Sequence, residues 1–440
     1  MKPDRPDPRR EREEALILLA ISRAASFDER PEAAARDEPA SLIDAGFDWA
    51  KFLALARRHN SVAAAYRFTV DSGLDGYVPA DTMRAMKLGY ALAQATYLKN
   101  LLELRELAGG LQRDGIPALV IKGIPLASTL YNEPAVRVSR DIDLLCKMED
   151  LERVGRLVEE NGYSLHQGRL RDEGYRRYHY HLVYARGAGN ESVVEVHWNV
   201  RHPGKGVHID VAPLFRHAKM VDIAGVEVAT LDEPHAVWQL AVNLSYSGFL
   251  DARDLGDLGR LGRRVGGEDW KALVEFSRKT GTFNEFSTAL AVAERTFGGF
   301  IPDAFRTDAR PRFYVRSMLL PPYTPKTVAW RWIPCKSTQR LTVNLFMREG
   351  LRRKIHYLYR IVFPDRASLI ETRSARPAPK RWTETLLLYS SGLWIAAKIL
   401  ALCALLGPLM KTGFIADRWA DPERHVDLQR SPRGVELDSL

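Results

Sequence analysis

The chain has 440 residues, 46% of them hydrophobic, and 64 basic against 55 acidic side chains give it a formal net charge of +9. That length excludes one small core and points to two or three domains, and the apolar fraction is that of a globular protein. The positive balance favours anionic partners such as nucleotides, nucleic acid or an acidic lipid surface, without selecting among them.

In chain order, residues 1–14, MKPDRPDPRREREE, are rich in charge and proline and read as a disordered tail. They carry no apolar h-region, so they are not a signal peptide. A short helix is expected over residues 15–25, and an acidic, alanine-rich connector over 30–40. A helix opening at Asp48-Trp49-Ala50 carries Phe52, Leu53, Leu55 and Ala56 on one face. Residues 83–111 form a long periodic helical segment, and residues 15–112 together read as a helical N-terminal region. After the turn Asp114-Gly115-Ile116-Pro117, residues 118–122 (ALVIK) predict a short buried strand. Gly123 ends it, and Pro125 starts a helix over 124–131. A loop leads to a strand over 141–146 (DIDLLC), then a helix runs to Glu160 and stops at Asn161-Gly162.

Two alternating runs, 178–184 and 193–200, flank a glycine-rich turn and predict a hairpin. Residues 226–231 add one more short strand. From Asp232, an N-cap, the pattern is helical to Arg264 with a break at Ser247-Gly248. Residues 270–279 and 283–297 are amphipathic helices, which makes 231–305 a small helical bundle. Residues 306–440 form a basic C-terminal helical region with a linker-like break at 374–379. Cys146, Cys335 and Cys403 show no CxxC or Cys/His ligand spacing, so neither a disulfide framework nor a zinc site is expected, and a reducing cytoplasm fits.

The chemistry concentrates at Asp141-Ile142-Asp143. A strand puts alternate side chains on one face, so the two carboxylates point together. Paired carboxylates repel unless a cation or a proton sits between them, and Mg²⁺ with a nucleoside triphosphate is the evident claimant. Glu195, inside VVEVHW, is costly to bury unless paired or metal-bound. Three carboxylates from two strands can hold two Mg²⁺ ions roughly 4 Å apart, the arrangement used for in-line nucleotidyl displacement. Lys122-Gly123 at a helix N-terminus offers an anion site; taken alone, a strand-to-helix turn with a structural glycine is the favoured reading, and the carboxylates downstream shift it toward function.

These residues resemble the nucleotidyltransferase superfamily of the DNA polymerase β type, and more closely a set of bacterial nucleotidyltransferase-like proteins. The resemblance rests on Ile121-Lys122-Gly123, Leu130-Tyr131, Arg137-Val138-Ser139-Arg140-Asp141-Ile142-Asp143-Leu144-Leu145 and Glu195-Val196-His197-Trp198. Trp49, the Asp254–Leu258 segment, Asp269-Trp270 and Phe363-Pro364 extend it over most of the chain. It implies an α+β fold: a polymerase β-like core at 113–230, a small mixed sheet with flanking helices, set between helical regions. It implies that Asp141 and Asp143 bind both Mg²⁺ ions and that Glu195 completes one site and helps activate an acceptor hydroxyl. Lys122 and Gly123 would meet the triphosphate of the NTP, and Arg137 would brace the D-x-D loop or touch phosphate. His197, on the face of Glu195, is placed beside substrate. The acceptor could be a small molecule, a sugar, a protein side chain or an RNA end. One departure stands out: the superfamily has Gly-Ser at the phosphate turn, and here Ile124 follows Gly123. That supports a second reading, a catalytically silent nucleotide- or partner-binding module.

His179, His181 and His197 also admit a metal-cluster reading, beside the more ordinary one of strand histidines that line a polar site. Residues 386–410, LLLYSSGLWIAAKILALCALLGPLM, are long enough to span a bilayer, but Lys398 lies near the middle. A docked C-terminal helix is the favoured reading. A membrane-lying helix, preceded by Arg348, Arg352, Arg353, Lys354, Arg360 and Lys380, is the other, and it would make the protein a membrane-associated accessory protein with a peripheral contact.

Overall fold

The computed structural model describes residues 12–23, 40–43, 46–168, 175–176, 179–187, 189, 191–201, 209–312, 315, 328, 345, 347–362 and 397. Residues 386–410, apart from 397, therefore lie outside the described residues, as do the expected connector over 30–40, apart from Ala40, and most of the region beyond 312. Among the described residues no helix is long and apolar enough to cross a membrane.

Among the described residues the first helices are α1 (Arg12–Arg23), α2 (Trp49–Arg58), α3 (Val62–Asp71) and α4 (Ala80–Arg113). Helix α1 starts at Arg12, within the last residues of the segment that charge and proline marked as a tail. Asp48 caps α2 by accepting the Lys51 amide, which satisfies one of the free N–H groups of its first turn. Next come β1 (Ala118–Ile121), α5 (Gly123–Leu130), β2 (Asp141–Cys146) and α6 (Leu151–Glu160). The strands β3 (Ser164–Gln167), β4 (His181–Arg186) and β5 (Ser192–His197) follow. After α7 (Ala212–Arg216) comes a hairpin of β6 (Lys219–Ile223) and β7 (Val226–Thr230), then α8 (Glu233–Leu244), α9 (Ala252–Arg264), α10 (Gly267–Lys279), α11 (Phe283–Phe297), α12 (Asp303–Arg306) and α13 (Leu351–Val362).

The main sheet has five strands in the order β1-β2-β5-β4-β3. Only β2 and β5 run parallel; the other neighbours are antiparallel. The architecture is α+β with a mixed sheet. Strands β3 and β6 were not anticipated. Both are short; β3 (SLHQ) is mostly exposed, and β6 (KMVDI) alternates but fully buries only Ile223, so neither stands out as an apolar run in the sequence. Strand β5 ends at His197, and Trp198 and Asn199 leave the ladder.

Ile142, Leu144, Val194 and Val196 project from one face of the sheet. They pack with Leu104 and Leu107 of α4 and with Val154 and Val158 of α6. The opposite face turns toward a larger core that contains Ile121 and Leu145. This core joins Leu16, Phe52 and Phe68 of the first helices to Trp238, Leu255 and Phe286 of the later ones. The N-terminal helices and the bundle after residue 231 thus share one core. The alternation of β2 buries Ile142 and Leu144 on one side and turns Asp141 and Asp143 to the other, toward the helices.

Candidate active site

Register brings the carboxylates together. Asp143 sits directly opposite Glu195 across the parallel β2–β5 pair, Ile121 lies opposite Asp143 on the other flank, and His181 lies opposite His197 across β4–β5. Asp143, Glu195, His181 and His197 therefore share one face of three adjacent strands. His197 Nε2 lies 2.9 Å from Asp143 Oδ1 and 3.0 Å from Glu195 Oε2, so its N–H is shared between two carboxylates.

Lys122 joins β1 to α5 with φ 56° and ψ −126°. A side chain other than glycine is strained there, at roughly 1–3 kcal/mol, and such strain persists only where the surroundings hold it. The bend returns the side chain to the site: Nζ donates to Asp143 Oδ1 at 2.7 Å. It also starts α5 at Gly123, which packs against Ser139 and the Asp141 backbone. A Cβ on Gly123 would lie 2.8 Å from Ser139 Oγ and 3.5 Å from the Asp141 carbonyl, so only glycine fits without displacement. Ser139 Oγ donates to Asp141 Oδ1 at 2.8 Å. Ile124 is buried in the core beneath the sheet. A hydroxyl therefore does lie against Gly123, that of Ser139 from the D-x-D loop, and it donates to Asp141. Ser139 lies inside the motif read from the sequence, but only the fold sets it against Gly123.

Electrostatics follow from crowding. Burial, then the charges of Asp143 and Glu195, push Asp141 up to about 6. Burial would raise Asp143 too, but the Lys122 ammonium and the His197 hydrogen bond hold it below the usual carboxylate range. Glu195 is lowered to about 2 because hydrogen bonding and charge from His197, with the charge of Lys122, outweigh its burial. His197 is raised by its two carboxylate partners against burial and Lys122. His181 is lowered to about 2 by burial and by its neighbours His197 and His179.

Arg137 is buried and engaged. Its Nε donates to Asp257 at 2.6 Å, one terminal nitrogen to Asp254 at 3.4 Å and the other to the Gly123 carbonyl at 3.3 Å. Tyr131 donates to Asp257, and Arg260 reaches both Tyr131 and Asp257. Arg137 therefore ties the Gly123 turn to α9. Asn100 of α4 donates to the Ser139 carbonyl at 2.8 Å and holds the loop from the other side.

His181, Glu195 and His197 each offer a ligand atom within 4.8 Å of the others. His179 is stacked against Tyr175, and its Nδ1 lies 2.9 Å from the His181 carbonyl, which places it outside that trio. Cys146, buried on β2, is a free thiol far up its titration range through burial.

A family model described as "uncharacterised nucleotidyltransferase" matches residues 45–298. The chain belongs to this nucleotidyltransferase family. Its match begins at the Trp49 helix, ends at the close of α11 and contains every residue of the site above. Nucleotidyl transfer is the enzyme class that this membership gives. No curated protein matches the chain.

Proposed function

We propose that this nucleotidyltransferase moves a nucleoside monophosphate from an NTP to a hydroxyl acceptor, with release of pyrophosphate, at Asp141, Asp143 and Glu195 with Mg²⁺. The observation that carries this reading is the in-register pairing of Asp143 with Glu195 beside Asp141, on a face closed by helices. The donor set fits Mg²⁺: three carboxylates supply hard oxygen ligands, and Lys122 Nζ already stands as a cation on Asp143 Oδ1. When bound, two such ions would lower the pKa of the attacking hydroxyl and neutralise the triphosphate.

The residues divide the remaining work. The α5 N-terminus at Gly123 presents backbone donors to phosphate oxygens, and Ser139, which donates to Asp141 Oδ1, holds the D-x-D loop against that turn. Lys122 adds a positive charge beside them. Glu195, one-quarter exposed, is the most open of the carboxylates paired with His197 and faces the acceptor. His197 fixes the Asp143 and Glu195 carboxylates relative to each other. In the reaction the acceptor oxygen bonds to the α-phosphorus, the bond to the bridging oxygen of pyrophosphate breaks, and the hydroxyl proton leaves toward the Glu195 side.

Pyrophosphate release from radiolabelled NTPs in the presence of cell extract, compared between wild type and Asp141→Asn/Asp143→Asn, tests the assignment. Release by the wild type alone is expected, and release surviving in the double variant refutes it. The Lys122–Asp143 ion pair, which occupies a ligand oxygen, favours a second reading: a silent module that binds nucleotide without turnover. Calorimetry with Mg²⁺·NTP separates the two, since binding with no pyrophosphate release selects the silent module.

A further inference from the structure

Beyond the carboxylate site, one buried cluster carries more positive charge than its partners among the described residues neutralise. Arg201 lies four residues past His197, and Arg348 precedes α13. Both are 1% exposed, and both face Glu285 in the first turn of α11, itself fully buried. Arg201 Nη2 lies 2.5 Å from Glu285 Oε1, and Arg348 Nη1 lies 3.9 Å from the same oxygen. Two guanidinium groups thus share one carboxylate. Among the described residues, Nε and Nη1 of Arg201, and all three guanidinium nitrogens of Arg348, have no hydrogen-bond partner.

Such an arrangement is expensive. Buried arginine is ordinarily paired and hydrogen-bonded, and each unpaired charged donor carries a desolvation cost. The repulsion leaves its mark on Arg348, which is lowered to about 10 by burial and then by the charge of Arg201. Glu349, the next acid in the chain, is turned away, accepting from the Asn284 amide and from Arg312. The cluster faces the nucleotidyl site across one aromatic layer. Tyr180 lies 5.7 Å from the His197 ring and stacks on Tyr246 at 6.3 Å, and the Tyr246 hydroxyl is in electrostatic reach of both arginines.

We propose that Arg201 and Arg348 form a binding site for a phosphoryl group, with Glu285 as the internal carboxylate that holds the two arginines together until the ligand arrives. The guanidinium fork matches phosphate in a bidentate way. A tetrahedral dianion offers enough acceptor oxygens to meet both forks at once. The carboxylate already present gives only one negative charge. The site does not rest on the reading of nucleotidyl transfer, because none of its residues belongs to the D-x-D constellation.

The test uses the full-length protein with inorganic phosphate in EDTA, followed by thermal unfolding and calorimetry. Wild type should bind phosphate and be stabilised by it. Arg348→Met should weaken phosphate by roughly tenfold or more. It should also unfold no earlier than wild type without phosphate, because Glu285 keeps Arg201 as its partner at 2.5 Å and one of two like charges crowded on a single carboxylate is replaced by an apolar side chain. Glu285→Gln should tighten phosphate by roughly tenfold through loss of the competing charge, and phosphate should rescue any instability of that variant. Absence of a phosphate response in wild type, an unchanged response in Arg348→Met, or weaker binding in Glu285→Gln would each overturn the proposal. Asp141→Asn/Asp143→Asn should keep the response, which separates failure here from failure of the transfer reading. A competing arm with Mg²⁺-free NTP identifies the source. Displacement of phosphate assigns the site to the nucleotide's own tail, and simultaneous binding assigns it to a separate phosphoryl-bearing ligand.

Discussion

Lys122→Met tests whether the lysine stands in for a cation at Asp143. Lys122 Nζ lies 2.7 Å from Asp143 Oδ1, and the two side chains are 19% and 4% exposed. At that separation and an effective dielectric of about 20, the attraction is ~6 kcal/mol before desolvation. Burial of both ions takes back a large share, and breaking such a pair by removing one partner costs ~3–5 kcal/mol. In EDTA the variant should therefore unfold several degrees below wild type, because Asp141, Asp143 and Glu195 keep only His197 as a neighbouring cation among the described residues. With Mg²⁺ the sign reverses: the ion no longer competes with an ammonium for Asp143 Oδ1, so Mg²⁺ should bind roughly ten- to a hundredfold more tightly and restore the lost stability. Transfer should fall all the same, by roughly a hundredfold in kcat/KM, because the charge beside the Gly123 turn is gone. Unfolding curves in EDTA and across a Mg²⁺ titration give the first two effects, and pyrophosphate release gives the third. Weaker Mg²⁺ binding in the variant would refute the stand-in argument, as would an unchanged unfolding temperature in EDTA.

Ser139→Ala should lower kcat/KM for NTP by roughly tenfold while moving stability by no more than ~1 kcal/mol, since one partly exposed hydrogen bond to Asp141 is lost; steady-state kinetics with a melting curve checks both. Gly123→Ala should keep the fold and raise KM for NTP, because the added methyl displaces Ser139 Oγ from 2.8 Å; an unchanged KM would remove the hydroxyl from the phosphate turn. Arg137→Met should cost ~3–5 kcal/mol in urea unfolding, because it leaves Asp257 and Asp254 buried with one principal donor fewer. Asp257 titrates below its ordinary value because Arg137 and Arg260 outweigh its burial. A depressed folded pKa gives stability that is present above the unfolded value of about 3.9 and lost as pH falls through the folded one. The stability gap between wild type and Asp257→Asn should then be full at pH 7 and close below about pH 4; a gap that widens in acid would contradict the ion-pair account.

Much of the fold was legible because its signals are local. The strand over 141–146, the helix over 283–297, the helix opening at Asp48-Trp49, the Asp232 cap and the break near Gly248 all stand in the structure where periodicity and capping placed them. What was not legible is non-local. The N-terminal helices and the later bundle read as separate regions, because each has its own amphipathic pattern, and a pattern does not say which core an apolar face joins. Leu16 and Phe286 are 270 residues apart and lie in the same cluster. The parallel pairing of β2 with β5 is equally silent in sequence, yet it alone puts Asp143 opposite Glu195.

The candidate site divides along the same line. Asp141, Asp143 and Glu195 could be singled out one by one, since an acid in an apolar strand is costly and its spacing gives its face. Arg137 could be singled out too, but its direction could not: the guanidinium turns into α9 because Asp254 and Asp257 wait there, 117 and 120 residues later. Ser139 was overlooked because a hydroxyl carries no burial cost that marks it, and its value comes from lying against Gly123. Arg348 shows the limit most clearly. In sequence it heads a run of basic residues and reads as part of a solvated or membrane-facing helix. In the structure Arg352 of that run is exposed, whereas Arg348 is sealed against Glu285 with its donors unmet. A charge run assigns charge to a segment, but only packing decides which member of the run is removed from water. That member is the one whose unmet bonds ask for a ligand.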